Sequence, residues 1–88
     1  MYYMQLAFLR TLNAARGPHP IAVAQHFYDG GKASAPEVYA DQSLTSWVGF
    51  LQSWNLVNRV NDTVEITDIG QEFLVWMAIT GRREPIIG

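Results

Sequence analysis

The 88-residue sequence contains no cysteine and few charged residues. The lack of cysteine excludes disulfides and thiolate metal sites and gives no sign of an oxidising compartment, so we expect a cytoplasmic protein. Charged residues make up 16% of the chain, below the roughly 25% usual in soluble domains. Apolar residues make up 49%, which argues against disorder and indicates extra buried or partnered surface. At this length we expect residues 1–88 to form a single domain.

Positive charge is especially scarce in the second half of the chain. Residues 1–40 carry three Lys or Arg against two acids, whereas residues 41–88 carry three Arg against six acids. The net charge of the whole chain is −2. Because release of counterions from phosphates supplies most non-specific affinity for nucleic acid, this balance predicts weak binding to generic DNA.

The sequence also lacks the patterns of a membrane span, a metal site or a catalytic site. The apolar start of the chain is interrupted by Gln5 and Arg10 and has no basic leader region, so neither a secretory leader nor a membrane span is expected. His19 and His26 are seven positions apart, which matches no metal motif. No nucleophile and base fall in a recognisable pattern. We therefore expect no metal, no cofactor and no enzymatic activity.

Apolar residues recur at helical spacing through most of the chain. The pattern predicts a first helix at about residues 2–15 and a short second helix at residues 21–29, ended by Gly30 and Gly31. A single helical turn is expected at residues 37–40. The third helix is placed at about residues 42–55, with its apolar side chains on one broad face.

The ends of the later elements carry local signals. Asp41 or Ser43 is suited to cap the third helix, and Asn55 is suited to the left-handed conformation that ends it. Two β-rich runs then flank Asn61-Asp62, which predicts a two-stranded hairpin over residues 56–67. Thr67 is a suitable cap for a fourth helix at about residues 68–80.

Three segments resemble the winged helix-turn-helix superfamily and, within it, MarR-like regulators. "SLTSWVGFLQSWNLVNRV" is similar to their recognition helix and first wing strand, and "VEITDIGQEFL" to the second wing strand and the helix after it. "RGPHPIAVAQHF" resembles their entry into the second helix. The resemblance implies a mainly α fold with a small β-hairpin: a three-helix core, a two-stranded wing and a C-terminal helix.

The resemblance further implies a DNA-binding transcriptional regulator, with the third helix in the major groove. The outward face of that helix is small and uncharged, but Gln, Ser and Thr can contact bases and phosphates. Phosphate contacts would then fall to scattered cations, including Arg82 and Arg83 in the tail. The candidate DNA-binding residues are Gln42, Ser43, Thr45, Ser46, Gly49, Gln52, Arg59 and Lys32.

Phe50 and Trp54 lie four residues apart on the flank of the same helix. The simpler interpretation is that they enlarge the core together with Trp47. The alternative is an exposed aromatic patch that binds a protein partner, since aromatic anchors dominate interface energetics. A protein-interaction module without DNA binding therefore stays open as the second functional hypothesis.

The first and last helices are apolar nearly all round, whereas a surface helix of a monomer keeps a polar face. In MarR-like proteins the helices outside the wing unit form the dimer, so the resemblance implies a homodimer. The residues expected at that interface are Tyr2, Tyr3, Met4, Phe8, Phe73, Trp76 and Met77.

Overall fold

The computed structural model describes residues 1–80, which form four helices and three short strands. In chain order these are α1 (Tyr3–Ala14), β1 (His19–Pro20), α2 (Ile21–Ser34), α3 (Leu44–Ser53), β2 (Val57–Val60), β3 (Thr63–Ile66) and α4 (Asp68–Thr80). The fold is thus mainly helical with a small antiparallel sheet.

The core lies between α1, α2 and α3 and is rich in aromatic side chains. Trp47 is fully buried, with its ring centroid 5.6 Å from that of Phe8 and 6.1 Å from that of Tyr28. Tyr39, in the turns between α2 and α3, is also fully buried, and its hydroxyl accepts a hydrogen bond of 3.0 Å from the Trp47 indole. Burial of these large rings supplies much of the driving force for folding.

The sheet has three strands in the order β1-β3-β2, so the predicted two-stranded hairpin is joined by a third strand that the sequence did not predict. The β2–β3 hairpin is present and turns at Asn61, which has a φ of 53°. His19 of β1 pairs with Val64 of β3. Pro20 restricts His19 to extended backbone, which is the conformation that pairing with a strand requires.

The second helix does not end at Gly30 and Gly31, as the sequence predicted, but continues to Ser34. Glycine in a helix interior costs about 1 kcal/mol, and here close packing on α1 offsets that cost. A Cβ on Gly30 would lie 3.0 Å from the terminal carbon of Met4, and Gly31 is buried. Residues 36–41 form hydrogen-bonded turns, starting where the Ala35 carbonyl accepts from two later amides.

The predicted capping residues of the third helix and the predicted start of the fourth are confirmed, although α3 spans Leu44–Ser53 and is shorter than the expected 42–55. The Ser43 hydroxyl accepts from the Ser46 amide at 3.1 Å, and Asn55, which follows the C-cap residue Trp54, has a φ of 58°. The Thr67 hydroxyl accepts from the amide of Gly70 at 2.9 Å and so caps α4. Among the described residues, no helix is long and apolar enough to cross a membrane.

Candidate functional site

The outward face of α3 is uncharged, and part of its polar chemistry is used within the chain. The Gln42 side-chain amide donates to the Ser46 hydroxyl at 2.6 Å, and Ser46 also bonds to Ser43 at the helix cap. Thr45 and Gln52 are exposed on the helix surface. This face can therefore offer one hydroxyl and one amide to a ligand without disturbing the cap.

The cations expected to contact phosphate are few and dispersed. Of the six Lys and Arg and eight Asp and Glu in the chain, Arg82, Arg83 and Glu84 lie outside the described residues, which leaves four cations and seven acids. Lys32 is exposed in the last turn of α2. Arg59 lies in β2, and its guanidinium donates to the Asn61 carbonyl at 3.4 Å.

Arg16, the next candidate cation, is engaged by α4. Its guanidinium lies 3.1 Å from the Asp68 carboxylate and donates to the Gln71 side chain at 2.8 Å. Both partners belong to the N-terminal part of α4, so this cation serves the packing of the chain. The described residues therefore offer little fixed positive charge to a phosphate backbone.

The most unusual surface feature is apolar. We define the apolar strip as six exposed side chains from the end of α3 and from α4: Phe50, Trp54, Ile69, Val75, Trp76 and Ile79. Trp54 is 65% exposed, Trp76 46% and Ile79 79%. Exposed aliphatic residues are common singly on protein surfaces, but a contiguous set with two tryptophans is not.

The strip is continuous because its members line connected depressions. Phe50 and Trp54 line one depression, with Met1, Leu56 and Phe73 as its other walls. Trp54, Leu56 and Phe73 also line the next depression, of about 310 Å³, which includes Ile69 and Trp76. Trp76 is shared with a third depression formed by α4 residues. Together these make one shallow groove that runs from the end of α3 along α4.

One acid lies within this groove. Glu72 is exposed and lines both the second and the third depressions. Helix α4 carries Asp68 and Glu72 and no Lys or Arg. Among the described residues that line the groove, Glu72 is therefore the only ionisable side chain.

The interpretation of Phe50 and Trp54 as core residues is wrong, although it holds for Trp47. Trp47 faces the α1 side of α3 and is fully buried, whereas Phe50 and Trp54 pair with each other near the surface, with ring centroids 6.1 Å apart. Rotation about the helix axis does not explain the split, because position 50 lies only about 60° and position 54 about 20° from the direction of position 47. The residues differ in their place along the helix, since Trp54 follows Ser53, the last residue of α3.

The residues expected at a dimer interface divide into three groups. Phe8 is fully buried in the core and packs on Trp47 and Phe27, so its assignment to an interface is wrong. Tyr3 and Trp76 are exposed. The rest are half-buried within the chain: Tyr2, Met4, Phe73 and Met77. Ile69, Val75 and Ile79 are more exposed than any of these residues, which the nearly uniform apolar pattern of α4 did not predict.

The two histidines do not line this groove, and each makes contacts with different residues. A ring nitrogen of His19 bonds to the Ala15 carbonyl, and His26 packs edge-on against Phe27 at 5.5 Å. Within residues 1–80, no group of three or more His, Cys, Asp or Glu side chains is arranged to hold a metal ion.

The arrangement as a whole is suited to non-covalent association. It combines a rigid helical core, an uncharged polar face on α3 and an apolar groove between α3 and α4. No protein-family model matches the chain, and no curated protein and no solved structure matches it significantly.

Proposed function

We propose that the chain is a winged-helix domain that works by binding another protein through the apolar strip. The order of elements supports the fold part of this proposal: three helices enclose the core, a hairpin follows the third, and the final helix packs back on the first. The short strand β1 completes the sheet beside the hairpin. Fold alone does not decide function, so the surface carries the functional part.

The observation that carries the proposal is the exposed area of the strip. A fully exposed aromatic side chain offers about 200 Å² and an aliphatic one about 100 Å². With the measured exposures, the six side chains present roughly 500 Å² of apolar surface. That is in the upper range of the largest patch on typical monomers, roughly 300–600 Å², and it can form the centre of a standard interface of roughly 800 Å² per partner.

The composition supports a cytoplasmic location as part of the same proposal, since the chain has no cysteine. Burying the strip would also account for the low charge of the sequence. Such an interface keeps charged residues at its rim and apolar residues at its centre.

Site-specific photo-crosslinking in the source cells tests the proposal. A photoreactive side chain at Ile79, in the strip, is expected to give a discrete protein adduct, whereas the same group at Ala33, exposed on α2, is not. Adducts at both positions in equal yield, or no protein adduct at Ile79 at all, would contradict the proposal. An adduct with a second copy of the chain would retain it and identify the partner.

DNA binding is the second candidate, and the exposure of Thr45 and Gln52 on α3 favours it. A homodimer would bring two copies of Arg59 and Lys32 to paired half-sites. With few phosphate contacts, binding should show a shallow salt dependence. Selection from a random duplex library at low salt should then enrich a sequence, and Thr45→Glu should abolish its binding. Failure to enrich any sequence removes this candidate, and light scattering tests the dimer.

A further inference from the structure

We infer that the apolar strip receives an amphipathic helix of a partner protein that carries Lys or Arg along one edge. This inference rests on the proposed function and specifies the chemistry of the partner. It follows from the shape of the groove and from the position of Glu72, its one acid. It also follows from the repulsion that a second copy of this chain would cause by bringing a second Glu72 to the same place.

The shape of the groove fits a helix. Its long wall is α4, whose 13 residues extend about 20 Å. Trp54 and Trp76 line the same depression, and its remaining apolar walls include Leu56 and Phe73. A helix of about 13 residues covers this length, and three or four apolar side chains at i, i+3, i+4 and i+7 match a groove of this kind.

The acid in the groove selects the charge of the occupant. Glu72 lines two adjoining depressions, with Trp76 lining both as well. A helix lying on the strip comes close to this carboxylate and partly removes it from water. Desolvation of an acid without a counter-charge is unfavourable. A Lys or Arg at the edge of the incoming helix can lay its aliphatic stem on the apolar surface and reach the carboxylate with its charged end.

A second copy of the chain meets this requirement poorly. The strip on α4 runs from Ile69 to Ile79, so a two-fold axis through its middle lies near position 74. Antiparallel pairing about that axis puts the two Glu72 residues about 6 Å apart along the helix direction. Like charges brought together at the centre of an interface oppose association. The charge pattern of the described groove therefore favours a different chain with cations at that place.

Peptide binding to the full chain tests the inference. The probes are three labelled amphipathic helices of about 14 residues, identical on their Leu face and carrying Lys, Gln or Glu along one edge. Fluorescence anisotropy at low salt is expected to rank their affinities Lys over Gln over Glu, with about fivefold between the first two. Trp54→Ala should weaken all three peptides alike.

A charge reversal separates the local carboxylate from the overall charge of the protein. Glu72→Lys should invert the ranking, so that the Glu-edged peptide binds best. The control is Glu37→Lys, which changes the net charge equally in the exposed turns before α3 and should leave the ranking unchanged. Equal responses of the two variants, or equal affinity for the Lys and Gln peptides, would overturn the inference.

Two further outcomes would overturn the inference. They also show whether the proposed function fails together with it. If no peptide binds and the chain self-associates through the strip in sedimentation experiments, the occupant is a second copy, and protein binding by the strip stands. If the chain instead cosediments with phosphatidylcholine vesicles, and neither peptide nor protein adduct forms, both the inference and the proposed function fail.

Discussion

Replacement of Gly70 by alanine should destabilise the protein strongly, although alanine is the better helix former. Gly70 is buried in the first turn of α4, against the start of β2. An added Cβ would lie 2.3 Å from the Leu56 carbonyl oxygen and 2.7 Å from a side-chain carbon of Ile66. The carbonyl cannot easily retreat, because it accepts a hydrogen bond of 3.0 Å from the Thr67 amide.

The size of the effect follows from three contributions. Relief of the carbonyl clash requires a movement of about 1 Å to reach an ordinary carbon–oxygen contact. Overpacking of this kind costs about 1–3 kcal/mol, and a lengthened backbone hydrogen bond costs about 1 kcal/mol. The helix propensity of alanine returns at most about 1 kcal/mol. We therefore expect Gly70→Ala to lower the free energy of unfolding by about 1–3 kcal/mol, which lowers Tm by roughly 5–25 °C.

Gly49 provides the matched control within α3. A Cβ at this position meets no heavy atom within 4 Å, so Gly49→Ala should raise the free energy of unfolding by about 0.5–1 kcal/mol. Urea denaturation and thermal melts of both variants measure the two effects. A Gly70→Ala protein as stable as the wild type would refute the argument that this glycine is required by close approach of backbone. If Gly49→Ala destabilised the protein as much as Gly70→Ala, the loss of stability could not be assigned to the steric clash at Gly70.

Three further predictions concern single side chains. Ser43→Ala should cost about 1 kcal/mol in urea denaturation through loss of the α3 cap, and an unchanged midpoint would contradict that role. Arg16→Ala should cost less than about 1 kcal/mol, because the ion pair with Asp68 is exposed; a larger loss at high salt would contradict the assignment. Burial raises the pKa of Tyr39 above 10.0, against the opposing effect of the Trp47 hydrogen bond. The unfolded chain therefore loses this proton first, and stability falls as the pH rises above that value. Tyr39→Phe should be less stable by about 1–3 kcal/mol at neutral pH, since the indole loses its acceptor. As the pH rises above 10.0 it should lose stability less steeply than the wild type; an equally steep decline would assign the pH dependence to other groups.

Helix ends were predictable from the sequence, because they depend on residues that are near neighbours along the chain. Ser43, Asn55 and Thr67 mark helix ends through bonds or backbone angles confined to a few residues. Prediction from the sequence failed where a distant segment decides. Gly30 lies inside α2, where the end of the Met4 side chain of α1 packs close to it, and two-residue β1 is too short to show any alternation.

The residues of the candidate site were predictable only in part, because the sequence pointed to Phe50, Trp54 and Trp76 but not to Ile69, Val75 and Ile79. The lack of a polar face on the last helix predicted exposed apolar surface there, and Val75, Trp76 and Ile79 are exposed. Which side chains form that surface depends on how α4 rotates against the core, and this is set by the approach of Gly70 to Leu56. Phe8 and Ile79 are both apolar helix residues, yet one is fully buried and the other is 79% exposed.

The bonds of Thr67 also determine how the groove behaves when it is filled. Its amide donates to the Leu56 carbonyl and its hydroxyl to the Asn55 carbonyl, while the same hydroxyl caps α4. These bonds connect the residue next to Trp54 directly to the helix that carries Trp76. The two walls are therefore held at a fixed separation before anything binds. The backbone of the groove is preorganised, so the entropy that the groove loses on association falls on its exposed side chains, such as Trp54 and Trp76.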